Sequence, residues 1–251
     1  MPYAENQGVR IHYHVEGDGP PLVLQHGLTA SLEGWYDAGY VEALKGDYRL
    51  ILVDARGHGA SDKPHFPEAY DMKLMAGDVV AVLDDLNVRQ AHYWGYSMGG
   101  TIGFNTAKYH PEHLHSLIIG GAHPYAQDLE DFRQIFKEGN EALVASWEQE
   151  FGTPAPALEA RLLANDAEAL LAVVANDWPD VSDVLTAMKI PCLLYVGGAD
   201  EESHGMKDCA KDIPNATFVS LPGLDHIQAS FRSYLVLPHV TRFLQKVGRS
   251  F

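Results

Sequence analysis

Ala91-His92-Tyr93-Trp94-Gly95-Tyr96-Ser97-Met98-Gly99-Gly100 carries an apolar strand pattern directly into a helical one. Its middle, Gly95-Tyr96-Ser97-Met98-Gly99, fits G-x-S-x-G. Chance alone supplies such a pattern fairly often, so its context decides. Ala91 to Tyr96 reads as a strand, and the helical pattern that follows runs through Tyr109 and stops before Pro111. A strand–turn–helix of this kind forces the serine into a strained turn and exposes its hydroxyl. The flanking glycines are needed because side chains there would clash with the neighbouring strand and helix. Gly99, Gly100 and Gly103 also give the helix a small face for close packing.

Outward from this turn, strands and helices alternate. Val9 to Glu16 alternates as a strand and ends at Gly17-Asp18-Gly19-Pro20. Leu22 to Gln25 stops at His26-Gly27, and Tyr48 to Val53 stops at Asp54. Met72 to Leu86 has helical spacing, with Met75, Val79, Val82, Leu83 and Leu86 on one face. Further strands are expected at Leu117 to Ile119, Cys192 to Val196 and Thr217 to Leu221, and a last helix from Ile227 to Lys246 with a kink at Pro238. Such alternation predicts an α/β fold, a mostly parallel central sheet with helices on both faces. Its reactive groups gather at the carboxyl ends of the strands. Residues 121–190 break the rhythm and read as four or five short helices over the sheet, a small helical cap. The expected division is therefore a core of 1–120 with 191–251, and a cap of 121–190.

Composition narrows the partners. Eighteen Lys and Arg against thirty-four Asp and Glu leave a net charge of −16, which disfavours nucleic acid and anionic membranes. No apolar run approaches the ~18 residues of a membrane span, and Met1-Pro2-Tyr3-Ala4-Glu5-Asn6 does not resemble a signal segment. Cys192 and Cys209 match no metal or redox spacing, and reduced thiols fit a cytoplasmic protein. Cys192 lies in an apolar run and is expected in the core. The histidines at 12 and 14 and at 110, 113 and 115 do not resemble His-Glu-x-x-His. They are read as solvated surface residues, with no metal.

A serine hydroxyl needs a base. His226, on the loop after the last strand, is the candidate. A carboxylate must then hold the histidine tautomer, and Asp200, after the strand that ends near Val196, is favoured over Glu201, Glu202 and Asp225. Asp225 adjoins the base, so its side chain would have difficulty reaching the inner ring nitrogen. The chain order Ser97, Asp200, His226 is the one this kind of turn calls for. A developing oxyanion needs donors: the backbone N–H of Met98 at the helix start, and that of Leu28 in His26-Gly27-Leu28-Thr29. His26 is read as structural, bracing that loop.

Four segments together resemble a single-domain, capped α/β-hydrolase with a serine nucleophile. They are His26-Gly27 before Trp35, Asp54 to Asp62, the turn at Ser97, and Gly223-Leu224-Asp225-His226. The resemblance implies that Asp54 to Asp62 is a structural turn without a catalytic role, and that 121–190 is the cap. Family epoxide hydrolases and haloalkane dehalogenases carry aspartate where this chain has Ser97. The family's carbon–carbon hydrolases usually have a Gly- and Pro-rich loop where Leu28-Thr29-Ala30-Ser31 stands here. Hydroxynitrile lyases would want a lysine near His226. Cleavage of small-molecule carboxylic esters, without a cofactor, is therefore expected. Lactone or carbon–carbon cleavage, or a ligand receptor on the same fold, are the alternatives.

In the cap, Phe132, Phe136, Leu143, Trp147, Phe151, Leu170 and Trp178 are divided between packing and the pocket, with Trp147, Phe151 and Trp178 as pocket candidates. The cap's only cations are Arg133, Lys137, Arg161 and Lys189, widely spaced, so anionic substrates are not expected.

Overall fold

Successive residues of a strand point to opposite faces, and the central strands use this to build two cores. Leu22, Leu24, Leu50, Leu52, Trp94, Ile118 and Leu193 belong to one apolar cluster, and Val23, Ile51, Tyr93, Ile119 and Leu194 to the other. The computed structural model describes residues 2–248. Its strands are β1 (Tyr3–Asn6), β2 (Val9–Glu16), β3 (Pro21–Gln25), β4 (Arg49–Val53), β5 (Ala91–Tyr96), β6 (Leu114–Gly120), β7 (Cys192–Gly197) and β8 (Ala216–Leu221). They form one sheet in the order β1-β2-β4-β3-β5-β6-β7-β8. Pairing is parallel from β4 to β8 and antiparallel at β1/β2 and β2/β4.

The helices are α1 (Glu33–Asp37), α2 (Tyr40–Leu44), α3 (Met72–Asp85), α4 (Met98–Tyr109), α5 (Glu130–Lys137), α6 (Asn140–Phe151), α7 (Pro156–Leu163), α8 (Ala167–Val173), α9 (Ser203–Asp212), α10 (His226–Phe231) and α11 (Ser233–Val247). α3 and α4 cover one face with Met75, Val79, Val82, Ile102 and Phe104. α1, α2 and α11 cover the other with Trp35, Val41, Leu44, Val236, Val240 and Leu244. Between β6 and β7 the chain runs through α5 to α8 and a 3₁₀ turn at Ser182–Ala187. The short helices expected in 121–190 are these.

Two expectations need correction. The single helix expected from Ile227 to Lys246 is two, α10 and α11, because Arg232 leaves the helical region at φ −85, ψ 63. The break is there and not at Pro238, which lies inside α11. His12 is not a surface residue. β2 lies between β1 and β4, and His12 is buried with Nδ1 donating to Asp54 Oδ2 at 2.8 Å. His58 and His92 are buried as well.

The segment 54–62 is a structural knot beside β4, as its polar bonds show. Asp54 accepts from the Leu32 N–H at 2.9 Å and the Ala60 N–H at 2.9 Å. Burial works to raise the Asp54 carboxyl, but the neighbouring His26, those two N–H groups and His12 outweigh it and hold it below its ordinary value. Arg56 is fully buried and grips Asp78 of α3 with two bonds, Nε to Oδ2 at 2.6 Å and Nη2 to Oδ1 at 2.5 Å. Removing one partner would strand a buried charge, at a cost of about 3–5 kcal/mol. The pair thus ties the knot to α3.

Candidate active site

Ser97 occupies the turn between β5 and α4 with φ 54 and ψ −123, a region where a residue with a side chain stores roughly 1–3 kcal/mol of strain. The strain persists because the surroundings permit little else. A Cβ on Gly95 would lie 2.1 Å from the Gly99 carbonyl oxygen, and one on Gly99 would lie 2.2 Å from that of Gln25. The Ser97 N–H donates to the Gly120 carbonyl at 2.8 Å, which ties the turn to the end of β6.

His226 begins α10, after β8, and Asp200 follows β7. Nδ1 of His226 is 2.8 Å from Asp200 Oδ2. A carboxylate can only accept, so Nδ1 carries the proton and Nε2 is left as the acceptor. The second oxygen of Asp200 accepts from the Glu202 N–H at 3.0 Å. Asp225 is engaged elsewhere: its Oδ1 accepts from the Gln228 N–H at 2.7 Å and starts α10. Burial pulls the His226 imidazole down. The hydrogen bond and charge of Asp200, with the charges of Glu202 and Glu150, outweigh it and raise its pKa above the ordinary value.

Ser97, Asp200 and His226 line one cavity of about 460 Å³, within the size range of small-molecule sites. Among the described residues no hydrogen bond joins Ser97 to His226. Such bonds are commonly long in substrate-free sites and tighten with substrate. Leu28 also lines the cavity, whereas the Met98 side chain is buried in the core and only its backbone stands at the start of α4. Among the described residues neither amide N–H donates to a protein acceptor.

His26 braces the loop, as expected. Its Nδ1 donates to the Gly27 carbonyl at 2.8 Å and its Nε2 accepts from the Ala55 N–H at 3.1 Å. Burial lowers its pKa despite the charge of Asp54. His58, which sequence reasoning passed over, does similar work: Nδ1 donates to the Arg56 carbonyl and Nε2 accepts from the Thr29 N–H at 3.2 Å. Burial, with His26 beside it, pushes His58 down to about 3, so it stays neutral.

Two further contributors were missed. The Tyr96 hydroxyl donates to the His226 carbonyl at 2.5 Å, and its ring lies 5.2 Å from the imidazole. Gly121 has φ +57, and a Cβ there would be 2.9 Å from His226 Cε1. In sequence Gly121 marks only the end of a strand, and Tyr96 only a strand residue. Their proximity to a histidine more than a hundred positions away has no local signal.

Phe132, Leu143, Trp147, Phe151 and Trp178 all face the cavity, and the Trp147 and Phe151 rings lie 5.2 Å apart. Phe136 and Leu170 pack into the core instead. Glu150, Asp200, Glu201, Glu202 and Asp225 also line the cavity, and among the described residues its lining includes no lysine or arginine. Burial raises the Glu202 carboxyl above its ordinary value. Among the described residues no group of three or more His, Cys, Asp or Glu could hold a metal ion. Among them no helix is long and apolar enough to cross a membrane.

A strained serine turn after β5, a histidine after β8 and a carboxylate after β7 stand together at the carboxyl ends of a largely parallel sheet. Residues 20–191 match the family model described as alpha/beta hydrolase fold, and the chain belongs to that family. A Bacillus subtilis (strain 168) protein, named provisionally as a 2-succinyl-6-hydroxy-2,4-cyclohexadiene-1-carboxylate synthase, is 26% identical over 86% of this chain and 88% of its own. The enol-lactonase of Burkholderia xenovorans LB400 superposes with a TM-score of 0.85 and 26% identity, covering 97% of this chain and 100% of that one. The esterase RhEst1 of Rhodococcus sp. ECU1013 gives a TM-score of 0.85 and 26% identity, with 98% of each chain covered.

Proposed function

We propose that this protein is a serine hydrolase that cleaves carboxylic esters of small neutral molecules through an acyl-enzyme. Ser97 Oγ attacks the ester carbonyl while His226 Nε2 takes its proton. Asp200 holds the imidazole and stabilises its protonated form. The Leu28 and Met98 N–H groups receive the oxyanion, and His226 returns the proton to the departing alcohol. Water, deprotonated by His226, then attacks the acyl carbonyl, and Ser97 leaves with the proton. Residues 121–190 act as the cap over this site. The observation that carries the reading is the 2.8 Å bond from His226 to Asp200, in one cavity with a serine held at φ 54. The enol-lactonase neighbour favours lactones, which are cyclic esters, as a second substrate class. The unpaired, buried thiols of Cys192 and Cys209, both pushed up to about 12 by burial, support a reducing compartment such as the cytoplasm.

The test is a panel of esters, lactones and ring-cleavage diketones with purified protein. Turnover of esters or lactones is expected; turnover of the diketones alone overturns the proposal. Binding without any turnover would point instead to a receptor on this fold.

Charge selectivity should follow from the lining. Five carboxylate side chains and no cation repel an anionic acyl or alcohol group, and the apolar walls suit a neutral one. Matched neutral and carboxylate-bearing esters, compared by kcat/KM at moderate salt, should show the neutral member preferred. A tenfold preference for the anionic member would sink this expectation.

The pH profile should carry the sign of the His226 shift. The base works when neutral, so kcat/KM should fall as pH drops through a midpoint above the ordinary histidine value of about 6.5. A profile flat from about pH 5 to 8 would speak against a histidine base.

A further inference from the structure

We propose that Asn165, in the helical insertion, is a positioning residue that fixes the oxyanion-binding loop, so that the insertion sets the Leu28 N–H as well as covering the site. The proposal rests on the reading of Leu28 as an oxyanion donor. In a trans peptide the C=O and N–H point in opposite directions, so holding one aims the other. Three consecutive peptide groups of this loop are each held. The Gly27 carbonyl, which shares its peptide with the Leu28 N–H, accepts from His26 Nδ1 at 2.8 Å. The Thr29 N–H donates to His58 Nε2 at 3.2 Å. The Thr29 carbonyl accepts from Asn165 Nδ2 at 3.0 Å, across 136 positions of sequence.

The first two holds come from buried core histidines and the third comes from the insertion. The loop needs a third hold because Thr29, a β-branched residue, sits at φ 63. That left-handed conformation disfavours such a side chain, and the other bond on this peptide, from the Ala30 N–H to the Gly27 carbonyl, is longer at 3.3 Å, so the Asn165 bond is its closer hold.

Asn165 is itself fixed. Its backbone carbonyl accepts from Asn140 Nδ2 at 2.7 Å, and its own Nδ2 also reaches the Arg161 and Leu162 carbonyls at 3.3 Å, at the end of α7. α7 contributes Leu158 and Leu162 to the cavity wall. A substrate that seats against this wall therefore bears on the helix end that holds the Thr29 carbonyl. Contact with substrate, through Leu158 and Leu162, and placement of the oxyanion donor, through Asn165, thus meet at one helix end.

The experiment uses the full chain with Asn165→Ala and Asn165→Asp. The aspartate variant keeps the size, but an ionised carboxylate cannot donate to the Thr29 carbonyl. Outright loss of an oxyanion donor costs ~10²–10³ in kcat, so a displaced one should cost ~10–100-fold, with KM within about threefold. Amide hydrogen exchange at Thr29 and Ala30, whose N–H groups donate to His58 and to the Gly27 carbonyl, should quicken at least ~10-fold while the thermal midpoint stays near that of the parent. Unchanged kcat, a loss confined to KM, or unchanged exchange would each overturn the proposal. Should the parent protein turn over no ester, the serine-hydrolase reading fails by that result, and exchange at Thr29 and Ala30 alone then decides whether Asn165 holds the loop.

Discussion

Ser97→Ala is expected to reduce kcat by ~10⁴–10⁶ and to leave the fold intact. The activity loss follows from removing the only group proposed to bond to the carbonyl carbon; the oxyanion donors and the pocket survive and leave a small residual rate. The fold survives because the strained backbone at φ 54 suits alanine no worse than serine, and the hydroxyl is not among the bonds that hold the turn. Those bonds are backbone ones, including Ser97 N–H to the Gly120 carbonyl at 2.8 Å. Ester turnover and a thermal melt on the same preparation check both halves. A variant that keeps a tenth of the parent activity would remove Ser97 as the nucleophile.

Asp200→Asn should cost ~10⁴ in kcat, because an amide can donate to Nδ1 and turn the imidazole into the tautomer whose Nε2 carries the proton. That ring can no longer accept the serine proton. Asp225→Asn is the matched control. Its Oδ1 accepts from the Gln228 N–H at 2.7 Å, and an asparagine oxygen caps a helix about as well, so little should change. Steady-state kinetics of the two variants decide the point: the reverse ranking would move the acid to the neighbouring position.

Much of the frame was legible in the sequence because it is built from elements whose periodicity is strong. β5 ends at Tyr96 as expected, and Asp200 reaches His226 from the loop that the strand pattern indicated. Elements too short to show a period escaped. β1 has four residues, and α1 and α2 have five each, less than two helical turns. The burial of His12 was not legible because alternation in β2 says which residues share a face, not that β1 pairs along the strand's edge and Asp54 bonds to the ring. The aromatic residues of 121–190 could be placed on helices, but a pocket wall and a core are both apolar. Only the packing separates Trp147 and Phe151, which face the cavity, from Phe136, which does not. The same holds for Asn165, an ordinary polar residue in sequence whose meaning lies in a carbonyl 136 positions away.

The helical insertion enters after β6 and returns at β7, two strands that are direct neighbours in the sheet. For the rest of the molecule it is a single long loop. Closing such a loop grows more costly only slowly, by about 0.6 kcal/mol for each doubling of its length. The segment can therefore change its length at little cost to the sheet beneath it. The lactonase and the esterase each superpose on this chain at 26% identity. Asn165 marks where that freedom ends, since any replacement segment must still present a donor to the Thr29 carbonyl.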